Sequence, residues 1–441
     1  MAARSMKFRV RWLRPFACFA AALMLAAFAH ASDHYLQDRS IDDRGAMMRG
    51  IAEYWLASQQ ADGLLPYGFD FLTGKADDDV TSTGFIAREA GAIWVWARYY
   101  AAVRDERYVE PLRRGLQALA KRSVPFGKPR AQRVLDALRI YQIPFGRMTL
   151  TRALHSAGLL YTSEGPASAL TASGLDGAWT GSTALALLAE LEYSRATGDQ
   201  RFAASRNAWR DALLALYVPS HGFRDGPASI NDDDDFSAGE AWLALAAYGD
   251  FDPHDARVRD VLADADNALI ARLTARPDTQ AFQWSSMAAL QRWRTTRDPR
   301  FAEFARNQSR VFITRLPHGV ERDPYGNRCG WLEGFGAMRA LLVEAGDDVT
   351  DLDAAIVREA ARLPRLQITG EPRMPLGGGG YLVSPALPRF AGAFLWAEYG
   401  RITRVDAEAH CLSALLLMDE RRGGAHPPAS VVTTPAKRTP Q

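Results

Sequence analysis

From Ile41 to Met418 the apolar residues recur at helical spacing, so the chain is read as almost entirely helical. Two kinds of helix alternate. One is apolar nearly all round, as in Ala184-Leu-Ala-Leu-Leu-Ala189 and Ala241-Trp-Leu-Ala-Leu-Ala-Ala247. Such helices are expected to be buried on both sides. The other carries a charged face, as in Arg104 to Arg114 and Arg201 to Asp211.

The alternation is an internal repeat. Thr183 to Tyr193 is followed by Ala196-Thr-Gly-Asp-Gln-Arg-Phe202 and a second helix to about Leu216. Ile93 to Tyr100 leads into Val103-Arg-Asp-Glu-Arg-Tyr108, and Met287 to Trp293 into Thr296-Arg-Asp-Pro-Arg-Phe301. The acid of each turn is placed to cap the second helix, and Tyr108, Phe202 and Phe301 to pack back on the first. Looser copies begin near Glu240, Gly334 and Gly392, with turns at Asp250-Phe-Asp-Pro253, Ala345-Gly-Asp347 and Thr403-Arg-Val-Asp406. Six hairpins result, with first helices starting near residues 93, 183, 240, 287, 334 and 392. An inner ring of apolar helices inside an outer amphipathic ring satisfies both patterns, whereas an open stack would expose the inner helices. Helix Ala46 to Gln59 precedes the first hairpin and is a candidate to close the ring.

The N-terminus sets the expected compartment. Arg4, Lys7, Arg9, Arg11 and Arg14 precede an apolar run from Pro15 to Phe28 and the small-x-small triplet Ala29-His30-Ala31. This pattern reads as a secretory signal cut after Ala31. Cys18 lies too close to Arg14 for a lipoprotein signal. The domain reading is a signal at 1–31, one helical domain at 32–420 with a helical insertion at about 121–160, and a disordered Pro/Thr/Ser tail at 421–441. The expected location is periplasmic or secreted, with no membrane span after cleavage.

Export changes the charge. The whole chain has 53 Lys+Arg and 51 Asp+Glu. Loss of five basic residues and no acids leaves 48 against 51, a net −3. A slightly acidic chain without a basic stripe argues against nucleic acid as a partner. Two cysteines remain, Cys329 and Cys411, which an oxidising compartment would allow to pair, although nothing in the sequence places them together. They do not make a zinc pattern.

Each second-to-first connection is long and rich in Gly, Asp, Trp and Tyr, and a ring gathers all of them on one face. Loops on a rigid scaffold are where function is expected. The candidate catalytic acids are Glu89, Asp176, Asp235, Glu240 and Glu333. The candidate substrate-binding residues are Tyr67, Arg88, Trp179, Trp284, Arg328, Trp331 and Tyr381. Glu89, Glu240 and Glu333 occupy comparable places at the start of inner helices. They are read either as helix caps or as acids delivered to one cleft by different repeats. Asp232-Asp-Asp-Asp235 is a solvated acidic loop, a calcium site, or a route by which Asp235 reaches the cleft; the preferred reading has no cofactor and no metal. The glycines Gly377 to Gly380 lack the lysine of a phosphate loop and read as a flexible lid.

On Arg88-Glu-Ala-Gly91, Gly181-Ser-Thr-Ala-Leu185, Ala196-Thr-Gly-Asp199, Ser237-Ala-Gly-Glu240 and Trp331-Leu-Glu-Gly334, over roughly residues 43–418, the chain resembles the six-hairpin glycosidase-like superfamily. The resemblance implies an all-α (α/α)6 toroid that binds carbohydrate in its mouth. It also implies an activity among glycoside hydrolases, polysaccharide lyases and sugar epimerases. A hydrolase needs two carboxyl groups across the scissile bond. A lyase or epimerase needs a base and a cation, for which His221, His318, Tyr67, Tyr325, Arg88 and Arg328 are candidates. A non-catalytic glycan-binding or assembly protein of the cell envelope uses the same groups for binding alone. A terpene-cyclase-like or lanthionine-cyclase-like toroid is the remaining alternative, disfavoured by export and by the lack of Cys/His metal spacing.

Overall fold

The computed structural model describes residues 43–76, 85–125, 168–170, 180–225, 235–319, 328–376, 380–397 and 400–419. The expected signal peptide, most of the insertion and the C-terminal tail lie outside them.

Twelve α-helices are found among the described residues: α1 (Arg44–Ser58), α2 (Phe85–Val103), α3 (Val109–Lys121), α4 (Thr180–Thr197), α5 (Ala203–Leu216), α6 (Asp235–Phe251), α7 (Ala256–Ala275), α8 (Phe282–Thr296), α9 (Pro299–Gly319), α10 (Arg328–Ala345), α11 (Thr350–Ala360) and α12 (Val405–Asp419). The even-numbered helices pack in the order α2, α4, α6, α8, α10, α12, and α12 returns to α2. The odd-numbered helices lie outside them. This is the closed double ring of the (α/α)6 toroid. None of the described helices is long and apolar enough to cross a membrane.

The inner helices are buried on all sides, as their composition requires. Every described side chain of α12 from Val405 to Met418 is buried except His410, and α4 is buried from Thr180 through Leu191. Burying a large apolar side chain contributes about 1.5–3 kcal/mol, and this single core runs round the whole ring. Buried ion pairs fix outer helices to inner ones, as Arg206 of α5 does to Glu190 of α4 at 3.0 Å. Asp266 of α7 takes Arg292 of α8 at 2.7 Å and the Trp242 indole of α6 at 2.8 Å.

The tight turns form as the repeat dictates. Arg104, Gly198 and Arg297 take left-handed backbone angles at the ends of α2, α4 and α8. Asp105, Asp199 and Asp298 then accept the N–H of the residue two further on. Tyr108 packs on Trp96 and Tyr99 of its own first helix, and Phe202 on Tyr193. Phe301 instead meets Trp242 of the preceding hairpin, with Arg292 of its own first helix over its ring.

The sixth hairpin differs from the expectation. Its inner helix does not start near Gly392 and turn at residues 403–406; it starts at Val405, inside the expected turn. Its outer partner is α1, from the other end of the described chain, which packs on α12 and α2. Helix 46–59 does close the ring. Gly392 (φ +97°) lies so close to Gly50 of α1 that a Cβ there would stand 2.1 Å from the Gly50 carbonyl oxygen, so only glycine lets this connection lie flat on α1.

Strand content is small but not negligible. The mouth connections form β1 (Gly68–Asp70), β2 (Lys75–Ala76), β3 (Ser123–Pro125), β4 (Ser168–Leu170), β5 (Tyr217–Val218), β6 (Gly222–Phe223), β7 (Arg373–Pro375), β8 (Tyr381–Val383) and β9 (Ile402–Arg404). β1 is the centre of a three-stranded sheet, antiparallel to β2 and β9, with Gly68 opposite Arg404. The Val405 N–H then donates to the Tyr67 carbonyl at 2.9 Å. The seam between the first and last elements is thereby hydrogen-bonded, and Arg404 is set beside Tyr67.

Candidate functional site

A cleft of about 330 Å³ opens at the ring mouth, and all six inner helices contribute to its wall. Such a volume suits a small-molecule or sugar-sized ligand. Its aromatic lining is Trp94, Phe236, Trp284, Trp331 and Trp396, and its ionisable lining is Arg88, Glu240, Glu333, Arg404, Asp406 and His410.

The Trp284 indole lies at the centre of the aromatic wall. Its ring is 6.0 Å from Trp94, 6.1 Å from Phe236 and 5.7 Å from His410, centroid to centroid. Trp284 is only 3% exposed, so it offers a ligand little more than a ring edge. Trp331 is likewise held among Phe282, Phe312 and Phe335.

Two polar groups are built on this wall. Glu333 of α10 and His410 of α12 share a hydrogen bond of 2.5 Å between Oε2 and Nδ1. The Glu333 Oε1 atom is buried with no partner among the described residues, so His410 is the compensation this carboxylate has on that side. Burial by itself lowers the His410 pKa, but the Glu333 charge and hydrogen bond outweigh it and the net shift is upward. With Nδ1 occupied by Glu333, Nε2 is the ring nitrogen left to serve a ligand. The second group is a carboxylate between two guanidiniums. Asp406 receives Arg88 Nε at 3.0 Å and Arg404 at 3.1 and 2.6 Å. The Arg404 guanidinium lies over Trp396, its Cζ 3.9 Å from the ring centroid. Planar stacking and a bidentate carboxylate are what arginine provides and lysine does not.

Glu240 is 2% exposed. Its carboxylate occupies the space where a side chain on Gly181 would begin, since a Cβ there would stand 1.9 Å from Oε2. Gly181 of α4 therefore sets where Glu240 of α6 can lie. Gly181→Ala is expected to displace this carboxylate and to impair ligand binding or turnover at least as much as a conservative change at Glu240. Ligand titration alongside a thermal melt checks it; unchanged binding with an unchanged melt would show that Glu240 tolerates the shift.

Sequence reasoning placed part of this site. Glu240, Glu333, Arg88, Trp284 and Trp331 line one cleft. Glu89 does not join them. It is fully buried, its Oε2 accepts the Leu65 N–H at 2.9 Å, and burial pushes its pKa up to about 8. It caps no helix either, because the donor belongs to a mouth connection. Tyr67 stands behind the arginines, with its hydroxyl bonded to Arg88 and its ring under that guanidinium. Arg328 turns away to Glu359 at 2.7 Å, and Tyr381 sits on β8 with Arg373 over its ring. Neither lines the cleft. His221 is exposed on the β5–β6 turn, with Nδ1 3.2 Å from the Pro219 carbonyl oxygen. Asp176, Trp179, Tyr325, Asp232 to Asp234 and the side chains of Asp235 and His318 lie outside the described residues. No group of three or more His, Cys, Asp and Glu placed to hold a metal occurs among the described residues.

His410, Asp406, Arg404, Trp94 and Trp396 were missed. Arg404 and Asp406 fall in the segment read as the sixth turn, Trp396 in the helix read before it and His410 in the helix read after it, which made all four scaffold. Trp94 was missed because an aromatic on an all-apolar helix has no signal that separates lining from core.

Cys329 and Cys411 form a disulfide between α10 and α12, closing a sequence separation of 82 residues. In the chain-entropy account, closing a loop of that size makes such a bond worth about 4–5 kcal/mol.

The chain has the (α/α)6 toroid fold, with its cleft at the mouth. Solved structures with the same fold include the α-1,6-mannanase of Salegentibacter sp. HEL1_6, at 10% identity and TM-score 0.52, covering 86% of this chain and 99% of that one. A variant of that mannanase, inactive through replacement of two adjacent aspartates, is in complex with α-1,6-mannotetrose. An unsaturated glucuronyl hydrolase specific for heparin matches at 11% identity and TM-score 0.51, covering 87% and 98% of the two chains. A sugar epimerase from a ruminal bacterium matches at 12% identity and TM-score 0.51, covering 87% and 99%. No family model matches the sequence, and no curated protein matches it.

Proposed function

We propose that the protein is an exported carbohydrate-active enzyme, a glycoside hydrolase acting on a poly- or oligosaccharide held in the toroid mouth. The observation that carries the reading is one cleft with an aromatic wall and buried carboxylates delivered by different hairpins. Glycoside hydrolysis asks for this donor set: one carboxyl group protonates the leaving oxygen, and a second acts as base or nucleophile. We assign the first role to Glu240. The second falls to the acid run ending at Asp235, which opens α6 immediately before Phe236 of the cleft wall. The neighbouring mannanase depends on two adjacent aspartates, and this run supplies adjacent aspartates here. Asp176 and Trp179, on the connection leading into α4, remain candidates for the same mouth. Export rests on the N-terminal pattern and is supported by the Cys329–Cys411 bond, since disulfides persist in oxidising compartments.

A second reading is favoured by the Glu333–His410 hydrogen bond. A carboxylate-oriented imidazole is a general acid–base group, and Arg88 and Arg404 supply cations, as epimerisation or β-elimination of a uronate requires.

One experiment separates them. The purified protein is incubated with linear α-mannan oligosaccharides, other neutral glycans and uronate-containing glycans, and the products are analysed by mass and reducing-end assay. Fragments whose summed mass is that of the parent plus one water per bond cleaved support hydrolysis. An isomer of unchanged mass, or an unsaturated fragment, supports the second reading. Glycan binding with no product under any condition overturns the enzymatic proposal.

A further inference from the structure

We propose that the Cys329–Cys411 disulfide is a positioning element for the Glu333–His410 pair. Each cysteine lies close in sequence to a member of that pair, on the same helix. Cys329 and Glu333 are four residues apart on α10, so they share one face one turn apart. Cys411 directly follows His410 on α12. The bond brings the two helix backbones to 4.7 Å, Cα to Cα, and the 2.5 Å contact between Glu333 and His410 crosses the same helix–helix boundary. Between α11 and α12 the chain runs through the irregular connection 361–404, so local chain continuity does not set the register of α12 on α10.

Glu333 gives this register its chemical consequence. Its carboxylate is fully buried, Oε1 has no partner among the described residues, and Oε2 is spent on His410. A slip of α10 against α12 would strand both partners. The charged groups that face His410 are Glu333 from α10, Asp406 from α12 itself and Arg404 from β9, while the Trp284 ring from α8 is neutral. Only the Glu333 contact spans the disulfide-linked pair of helices.

The claim that this pair does acid–base work rests on the function proposed above; the positional claim does not. The primary test is therefore His410 titration by NMR, assigned by comparison with His410→Gln, in the oxidised wild type and in Cys329→Ala/Cys411→Ala. Expected is a His410 pKa above the ordinary imidazole value in the wild type and a fall to or below it in the variant, with the other histidines unmoved. Where the variant does not fold, a phosphine reductant is titrated into the native protein instead. Two electrons break the one S–S bond and leave a thiol on each cysteine, the phosphine is oxidised to its oxide with oxygen from water, and the His410 signal is followed while circular dichroism stays native. Unchanged His410 titration in a folded protein lacking the bond overturns the proposal and leaves the disulfide a general staple. With a substrate in hand, the same variant is expected to lose about 10²-fold in kcat with little change in KM. A His410 shift without any turnover of glycan would retain the positional claim and reject the enzymatic reading.

Discussion

Glu240→Gln is expected to lower kcat on the glycan substrate by about 10²–10⁴-fold, the usual contribution of a positioned general acid or base. The melting temperature should change little. Gln keeps the volume and the acceptor oxygen of the carboxylate, so it still fits the space beside Gly181, where Oε2 lies within van der Waals reach of the α4 backbone. It cannot gain or lose the proton. Glu240 lies on the sixth residue of α6, beyond the first-turn N–H groups that a cap serves. A capping role would instead cost about 1 kcal/mol of stability at unchanged activity. Steady-state kinetics with a parallel thermal melt distinguish the two. If no turnover has been found, calorimetric titration of α-mannan and uronate oligosaccharides replaces kinetics, and equal affinity in both proteins would remove Glu240 from the site.

The ring was legible because it is written redundantly. Apolar helix, Asp-containing turn and charged helix recur, and the turn motif has a local physical meaning that survives divergence elsewhere. Inner helices begin a few residues before the apolar runs do, as α2 at Phe85 and α6 at Asp235 show, because their first turns project into the mouth and carry polar residues. The sixth hairpin was misread because it is assembled from both ends of the described chain. No periodicity marks α1 as the partner of α12, and β9, which aligns them, is three residues long.

The site was half legible for the same reason. Glu240 and Glu333 stand at matching positions of a repeat, and repetition on a ring implies convergence. Glu89 shares that position but not the direction. The connection before α2 folds back so that Leu65 offers its N–H to the carboxylate, and the cleft side of that turn is taken by its neighbour Arg88. His410 could not be read from the sequence, because its function depends on Glu333 lying 77 residues away in the chain. The pairing of Cys329 with Cys411, each near one member of that pair in the chain, joins the two segments in the fold, but the sequence alone did not place these cysteines together.

Glu89→Gln should act on stability and not on the reaction, and its signature is a dependence on pH. In the folded protein burial holds the Glu89 carboxyl up at about 8, and Glu408, whose Oε2 accepts the Trp55 indole N–H at 2.7 Å, is held at about 8 as well. In the unfolded chain both titrate near 4.3 or so, as model carboxyls do. Below that range both states are protonated and the favourable packing of the neutral acids is fully present. As pH rises from there toward 8 the unfolded chain releases these protons while the folded chain keeps them, so stability falls by ~1.4 kcal/mol per pH unit for each group. Above about 8 the folded groups ionise too, and the loss levels off. Gln at position 89 removes the Glu89 contribution while its amide oxygen still accepts the Leu65 N–H. The variant should therefore match the wild type near pH 4, exceed it by several kcal/mol at pH 8, and retain a shallower slope from Glu408 and from Glu190, which burial raises to about 7 against the pull of Arg206. Urea unfolding across this range measures the difference. A Glu89→Gln protein that is no more stable than the wild type at pH 8, or that loses glycan turnover at every pH, would mean that Glu89 is ionised in the fold and belongs to the site after all.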